Sequence, residues 1–207
     1  MAQLVGAFCT SHVLLERRGV EAQADRVFDG MMEIRRQIDA LDPDIVVLVG
    51  DDHFINFDLA YEIPFAIPIQ DVMMSCGDAG LPVVPFNGDP AFSGGLRDYL
   101  NRSGFDIAAL REYKLCHGFT TPAFFTAPRK SKRIAPVVTN AMMDPPLNPS
   151  RCYELGRRIG QYVRDIRPAD ERVVLVGTGG LTHWVGIEPS GKMNFSFDKK
   201  VLDLFGA

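Results

Sequence analysis

Histidine and cysteine are both scarce here, four of each in 207 residues. Cys9, Cys76, Cys116 and Cys152 have no close paired spacing, which excludes a zinc knuckle or a disulfide framework. They read as reduced thiols, and Cys9 and Cys116, close in sequence to His12 and His117, make oxidation at a site there a concern. A cytoplasmic protein is the expectation. Long apolar runs are missing as well. The N-terminal run through Phe8 has no basic region before it, and His12 with Arg17-Arg18 closes it too early for a signal peptide or a membrane span. Charge of one sign is also lacking: a net charge of −4 leaves no basic face for nucleic acid. The single basic cluster, Arg129 to Arg133, reads as a solvated loop. Repeats and low-complexity linkers are missing too, so the expectation is one domain, 1–207, long enough for a real core.

What is present is a pattern of alternating strands and helices. Leu4–Phe8 and Ile45–Val49 are short apolar runs of the kind buried in a parallel sheet. Between them, Ala24, Val27, Phe28, Met31, Ile34, Ile38 and Leu41 fall at helical spacing, and Asp42-Pro43-Asp44 ends the helix. Strand, helix, strand implies a right-handed crossover and a parallel pair. Further helices are expected over Phe92–Ser103, from Asn148-Pro149 along Cys152, Leu155, Ile159, Val163 and Ile166, and over Asn194–Phe205. Further strands are expected at Phe105–Tyr113, Ile134–Thr139 and Val173–Val176, with short ones within Asp58–Ile69. Thr121-Pro122 reads as a helix start with Thr121 as the cap. The fold class that follows is α/β, a central, largely parallel or mixed sheet flanked by helices.

Each of the four histidines stands a few residues past a predicted strand. His12 follows Leu4–Phe8, His53 follows Ile45–Val49, His117 follows Ile107–Tyr113, and His183 follows Val173–Val176 and the turn Gly177-Thr178-Gly179-Gly180. If the strands share one sheet and one direction, the four imidazoles gather on the rim where α/β folds bind ligands. Imidazole is both the commonest metal ligand and the commonest general acid or base, although packing histidines are the other reading. Asp51 and Asp52 are either ring-orienting partners of His53 or ordinary turn residues. The aromatic, proline-rich stretch 54–92 is either a pocket wall for a flat substrate or an edge hairpin filled with core aromatics. Two histidines and a carboxylate suit iron(II) and O2; a similar set with zinc suits hydrolysis. Residue types alone leave both open.

Thr10-Ser11-His12, Asp52-His53, His117-Gly118-Phe119 and Gly177-Thr178-Gly179-Gly180-Leu181-Thr182-His183 occur in this order, with Asn140–Gly156 between the last two. Together they resemble the class III extradiol ring-cleavage dioxygenases, the family of the catalytic subunit of protocatechuate 4,5-dioxygenase, over nearly the whole chain. The resemblance implies non-haem iron(II), with His12 and His53 as its histidine ligands alongside a glutamate. It implies His183 as catalytic base and His117 as a second acid/base or substrate-contacting histidine. The implied reaction inserts O2 into a catecholic ring beside its two hydroxyls and gives a ring-opened semialdehyde. Two departures accompany it. Cys116 stands where relatives often carry an aspartate. Glu188, Asp198 and Asp203 are the only carboxylates after His183, and none matches the glutamate's motif position. The expectation is a chain shorter than its family, lacking a C-terminal helical part, that forms a homo-oligomer or joins a partner subunit. A metal-poor, non-catalytic relative and a zinc-dependent hydrolase are the alternatives.

Overall fold

The structure, a computed structural model, describes residues 2–12, 17–58, 60, 62–127, 132–182 and 192–205. Its elements are β1 (Gln3–Thr10), α1 (Glu21–Leu41), β2 (Ile45–Asp51), β3 (Phe65–Pro68), β4 (Val72–Ser75), β5 (Pro85–Asn87) and α2 (Pro90–Arg102). Then follow β6 (Ala108–Leu110), β7 (Lys114–Leu115), α3 (His117–Thr126), β8 (Arg133–Thr139), α4 (Pro149–Ile166), β9 (Arg172–Thr178) and α5 (Phe195–Phe205). Six strands form one sheet in the order β1-β9-β2-β8-β3-β6. The first four are parallel, and β3 runs antiparallel to β8. The expected mixed sheet of an α/β fold is therefore present. β4, β5 and β7 form a second, three-stranded sheet.

The central strands are apolar on both faces because helices cover both. On β2, Ile45 and Val47 pack toward α2 and α4, against Leu96, Leu100, Leu155, Ile159 and Tyr162. Val46 and Leu48 pack the other way, toward α1 and α3, against Ile38, Phe119 and Ala123. Each aliphatic side chain buried in this way contributes about 1.5–3 kcal/mol. α2 starts two residues before its first expected residue, because the Asp89 side chain caps it by accepting from Phe92 N at 2.8 Å, with Pro90 next in line. α4 starts as expected, with Asn148 accepting from Ser150 N at 2.9 Å. Among the described residues, no helix is long and apolar enough to cross a membrane.

Two expectations need correction, and two gain detail. The strand read over Phe105–Tyr113 is only Ala108–Leu110; the chain then leaves the main sheet and pairs Lys114–Leu115 with β4. Pro122 lies inside α3, which begins at His117 after Cys116, so Thr121 is not a cap. The 54–92 stretch divides: Phe65 and Phe92 are core, Phe54 lines a small pocket beside His53 that also holds Asp58, Glu62, Asn140 and Met142, and Phe57 belongs to both. Finally, α5 is formed, but none of its residues is buried, and Phe195, Leu204 and Phe205 stand exposed. Of the basic cluster, Arg129, Lys130 and Ser131 lie outside the described residues, while Lys132 pairs with Asp42 and Arg133 with Asp89.

Candidate metal centre

Three of the four histidines meet. The ring centroids of His12 and His53 are 4.7 Å apart, those of His12 and His117 5.4 Å, and those of His53 and His117 4.2 Å. One ligand nitrogen from each lies within 4.8 Å of the others. His12 and His53 come from the carboxyl ends of the parallel strands β1 and β2. His117 reaches the same rim by another route than expected: the second sheet delivers it as the first residue of α3. His183, with Trp184 and Glu188, lies outside the described residues.

Each of the three rings is held through Nδ1. Thr178 Oγ1 lies 3.4 Å from Nδ1 of His12 and donates its own proton to the Gly118 carbonyl at 2.9 Å. The hydroxyl can then only accept from His12, which places the proton on Nδ1 of that ring. His53 Nδ1 lies 3.5 Å from Cys116 Sγ, and the Asp51 carbonyl is a further acceptor for the ring. His117 Nδ1 lies 2.6 Å from Asp78 Oδ2, a carboxylate that can only accept. Each Nε2 therefore keeps its lone pair, the state a metal or a proton requires.

His53 depends on an unusual turn. Its φ is +41° and that of Phe54 is +58°, left-handed values that cost non-glycine residues about 1 kcal/mol or more each. The buried Asp52 carboxylate secures the turn, accepting from Asn56 N at 2.7 Å, Asn56 Nδ2 at 2.6 Å and Phe57 N at 3.0 Å. Asp51 Oδ1 accepts from Asp52 N and Ala141 N. The carboxylates flanking His53 thus build its loop, and the Asp51 main chain, not either side chain, is the acceptor for the ring. Burial first, and then electrostatic repulsion from the neighbouring His117, hold His53 below its ordinary pKa, which favours the neutral, ligating ring. Burial pushes the Cys116 thiol up to about 12, so it stays protonated; Cys9 is exposed.

The donor set fits a divalent metal. Two imidazoles sharing a metal at about 2.1 Å place their centroids roughly 4.6–5.3 Å apart, and the His12–His53 separation of 4.7 Å falls inside that range. The His53–His117 pair, at 4.2 Å and tilted by 38°, is closer than such a pair. Two contributors carried no sequence signal of their role: Asp78, which is 39 residues from His117, and Thr178 as a partner of His12. A glycine-flanked aspartate, Gly77-Asp78-Ala79-Gly80, marks a turn but not what the turn faces.

Comparison with known proteins gives a consistent result. The family model described as the catalytic LigB subunit of aromatic ring-opening dioxygenase matches residues 6–207. A 2,3-dihydroxyphenylpropionate/2,3-dihydroxicinnamic acid 1,2-dioxygenase of Photorhabdus laumondii is 30% identical over 192 residues, 91% of this chain and 59% of its own length. One of the same name from Mycolicibacterium smegmatis is 30% identical over 179 residues, 84% of this chain and 55% of its own. The chain thus spans little more than half the length of these curated relatives. The crystal structure of the uncharacterized protein JW3007 from Escherichia coli K12 shares the fold, with a TM-score of 0.56 at 15% identity, over 84% of this chain and 64% of that one.

Proposed function

We propose an extradiol ring-opening activity for this chain, which belongs to the family of the catalytic LigB subunit of aromatic ring-opening dioxygenases. The substrate would be a catechol, and the resident metal iron(II), held by His12 and His53. The observation that carries this reading is the convergence of three imidazoles, each anchored through Nδ1, on the rim at the ends of the parallel strands. When bound, the metal would supply a site where a catechol and the co-substrate O2 meet. His117, the third member of the cluster, would hold or move a proton at Nε2 by its motif position. His183 would be the catalytic base by its motif position.

The names of the relatives make 2,3-dihydroxyphenylpropionate the first substrate to try, with protocatechuate and gallate after it. The test loads the purified chain with iron(II) anaerobically, adds the catechol and admits air. A yellow ring-opened product is expected, and His53→Ala should lose both iron and product. Bound iron with no product from any of the three catechols would overturn the reading. Elemental analysis of protein purified without chelator distinguishes iron from zinc. A cytoplasmic location belongs to the same reading, supported by four free cysteines. So does assembly with a second copy or another subunit, supported by the exposed apolar residues of α5 and checked by light scattering.

A further inference from the structure

Asp78 sits in a turn that nothing in the sequence ties to the site. The backbone there is left-handed at Gly77 (φ +82°), Ala79 (φ +51°) and Gly80 (φ +74°), on both sides of the aspartate. β4 and β7 pair in parallel, and Cys76 N donates to the Leu115 carbonyl at 2.9 Å, which lays this turn against the start of α3. There Asp78 Oδ2 accepts twice from one residue, from His117 N at 3.0 Å and from His117 Nδ1 at 2.6 Å. Oδ1 accepts from Cys76 Sγ at 3.0 Å. Its side chain is 21% exposed, and no lysine or arginine pairs with it among the described ion pairs. Burial works to raise this carboxyl, but the hydrogen bonds from Cys76 and His117 outweigh it and hold the group below its ordinary value. An ionised carboxylate has no proton to give.

We propose that Asp78 is the positioning residue of His117, reaching the site from the second sheet. It fixes the Nδ1–H tautomer, so that the Nε2 lone pair is available on the side shared with His12 and His53. The two bonds to one oxygen set different things: the main-chain bond places the start of α3, and the ring bond sets the tautomer. The role in turnover rests on the ring-opening reading above; the tautomer does not.

Two variants test this. Asp78→Ala removes the oxygen that accepts both bonds from His117, and Asp78→Glu keeps the carboxylate. Nitrogen-15 NMR of the imidazoles, recorded on metal-free protein and assigned with His117→Gln, is expected to show His117 with the proton on Nδ1 in the wild type. Asp78→Ala should move it wholly or partly to Nε2, and Asp78→Glu should restore it. With iron-loaded enzyme and 2,3-dihydroxyphenylpropionate, Asp78→Ala should lower kcat by about 10²-fold, with KM and iron content within about twofold. Asp78→Glu should recover much of that loss. An unchanged His117 tautomer in Asp78→Ala overturns the proposal, as does a loss that lies in iron content or KM instead of kcat. If the tautomer moves as expected but the wild type opens none of the catechols, the ring-opening reading fails and the assignment of Asp78 stands.

Discussion

Gly118 shows how little room the site leaves around one residue. A Cβ there would lie 2.8 Å from both Cε1 and Nδ1 of His53 and 3.0 Å from the Asp51 carbonyl oxygen. The two ring atoms belong to a side chain that its left-handed turn already restricts, so the ring must move. Gly118→Ala is therefore expected to fold yet bind iron(II) at least about tenfold more weakly, measured by anaerobic titration. Cys116 gives a second expectation at this scale. It is fully buried, and its thiol is pushed up to about 12, so at pH 8 almost none of it is thiolate. Iodoacetamide at that pH should alkylate the exposed Cys9 in the native protein and reach Cys116 only after denaturation, as read by peptide mass spectrometry. The oxidation concern raised by the sequence thus applies to Cys9 and not to Cys116. At this scale the sequence picked out the histidines well, because a rare residue type past predicted strand ends is conspicuous. It did not pick out Asp78, an ordinary turn residue until the second sheet carries it to His117.

α3 begins before and continues through the proline that reads as its start. Pro122 has no N–H for the carbonyl of Gly118, four residues back, and that carbonyl is buried. Thr178 at the end of β9 makes up the missing bond, donating to the Gly118 oxygen at 2.9 Å. The threonine of the glycine-rich turn therefore joins three parts: β9, the first turn of α3 and the His12 ring. Thr178→Val should cost about 1–3 kcal/mol, the usual penalty for a buried polar group left unpaired, read as a lower midpoint in urea, while Thr178→Ser should cost little. Adding Pro122→Ala to Thr178→Val returns an N–H to the helix and should recover part of the loss, a coupling that a double-mutant cycle measures. The misreading of Thr121-Pro122 has a physical origin, since proline in the first turn is the common arrangement and a tertiary donor replacing the lost bond leaves no local trace. The strand expected at Phe105–Tyr113 failed for a related reason. Its residues are apolar enough for one strand, but β3 pairs with only Ala108–Leu110 before the chain changes sheets. Strands buried on both faces, such as β2 and β9, were legible because nothing else in a chain of this size reads as an unbroken apolar run.

Across the whole molecule, the candidate ligands sit on segments that only the folded sheet brings together. β1 carries His12 at the edge of the main sheet, β2 carries His53 near its centre, and the second sheet leads to His117. The second sheet meets the main one where Gly88 bridges Ile134, and a Cβ at Gly88 would lie 2.1 Å from the Gln70 carbonyl oxygen. An unfolded chain holds no such arrangement, so a metal that binds His12 and His53 binds the native state alone. Linkage then fixes the size of the effect: free metal at a hundred times its Kd stabilises by about 2.7 kcal/mol. For a chain of this length that corresponds to a rise in Tm of roughly 5–10 °C. Anaerobic calorimetry with iron(II) should show that rise in the wild type and lose it in His53→Ala. In Asp78→Ala the rise should persist, because Asp78 acts on His117 and not on the two ligands. A metal-dependent rise that disappears in Asp78→Ala but survives in His53→Ala would instead place the metal on His117 and reverse the roles assigned to these histidines.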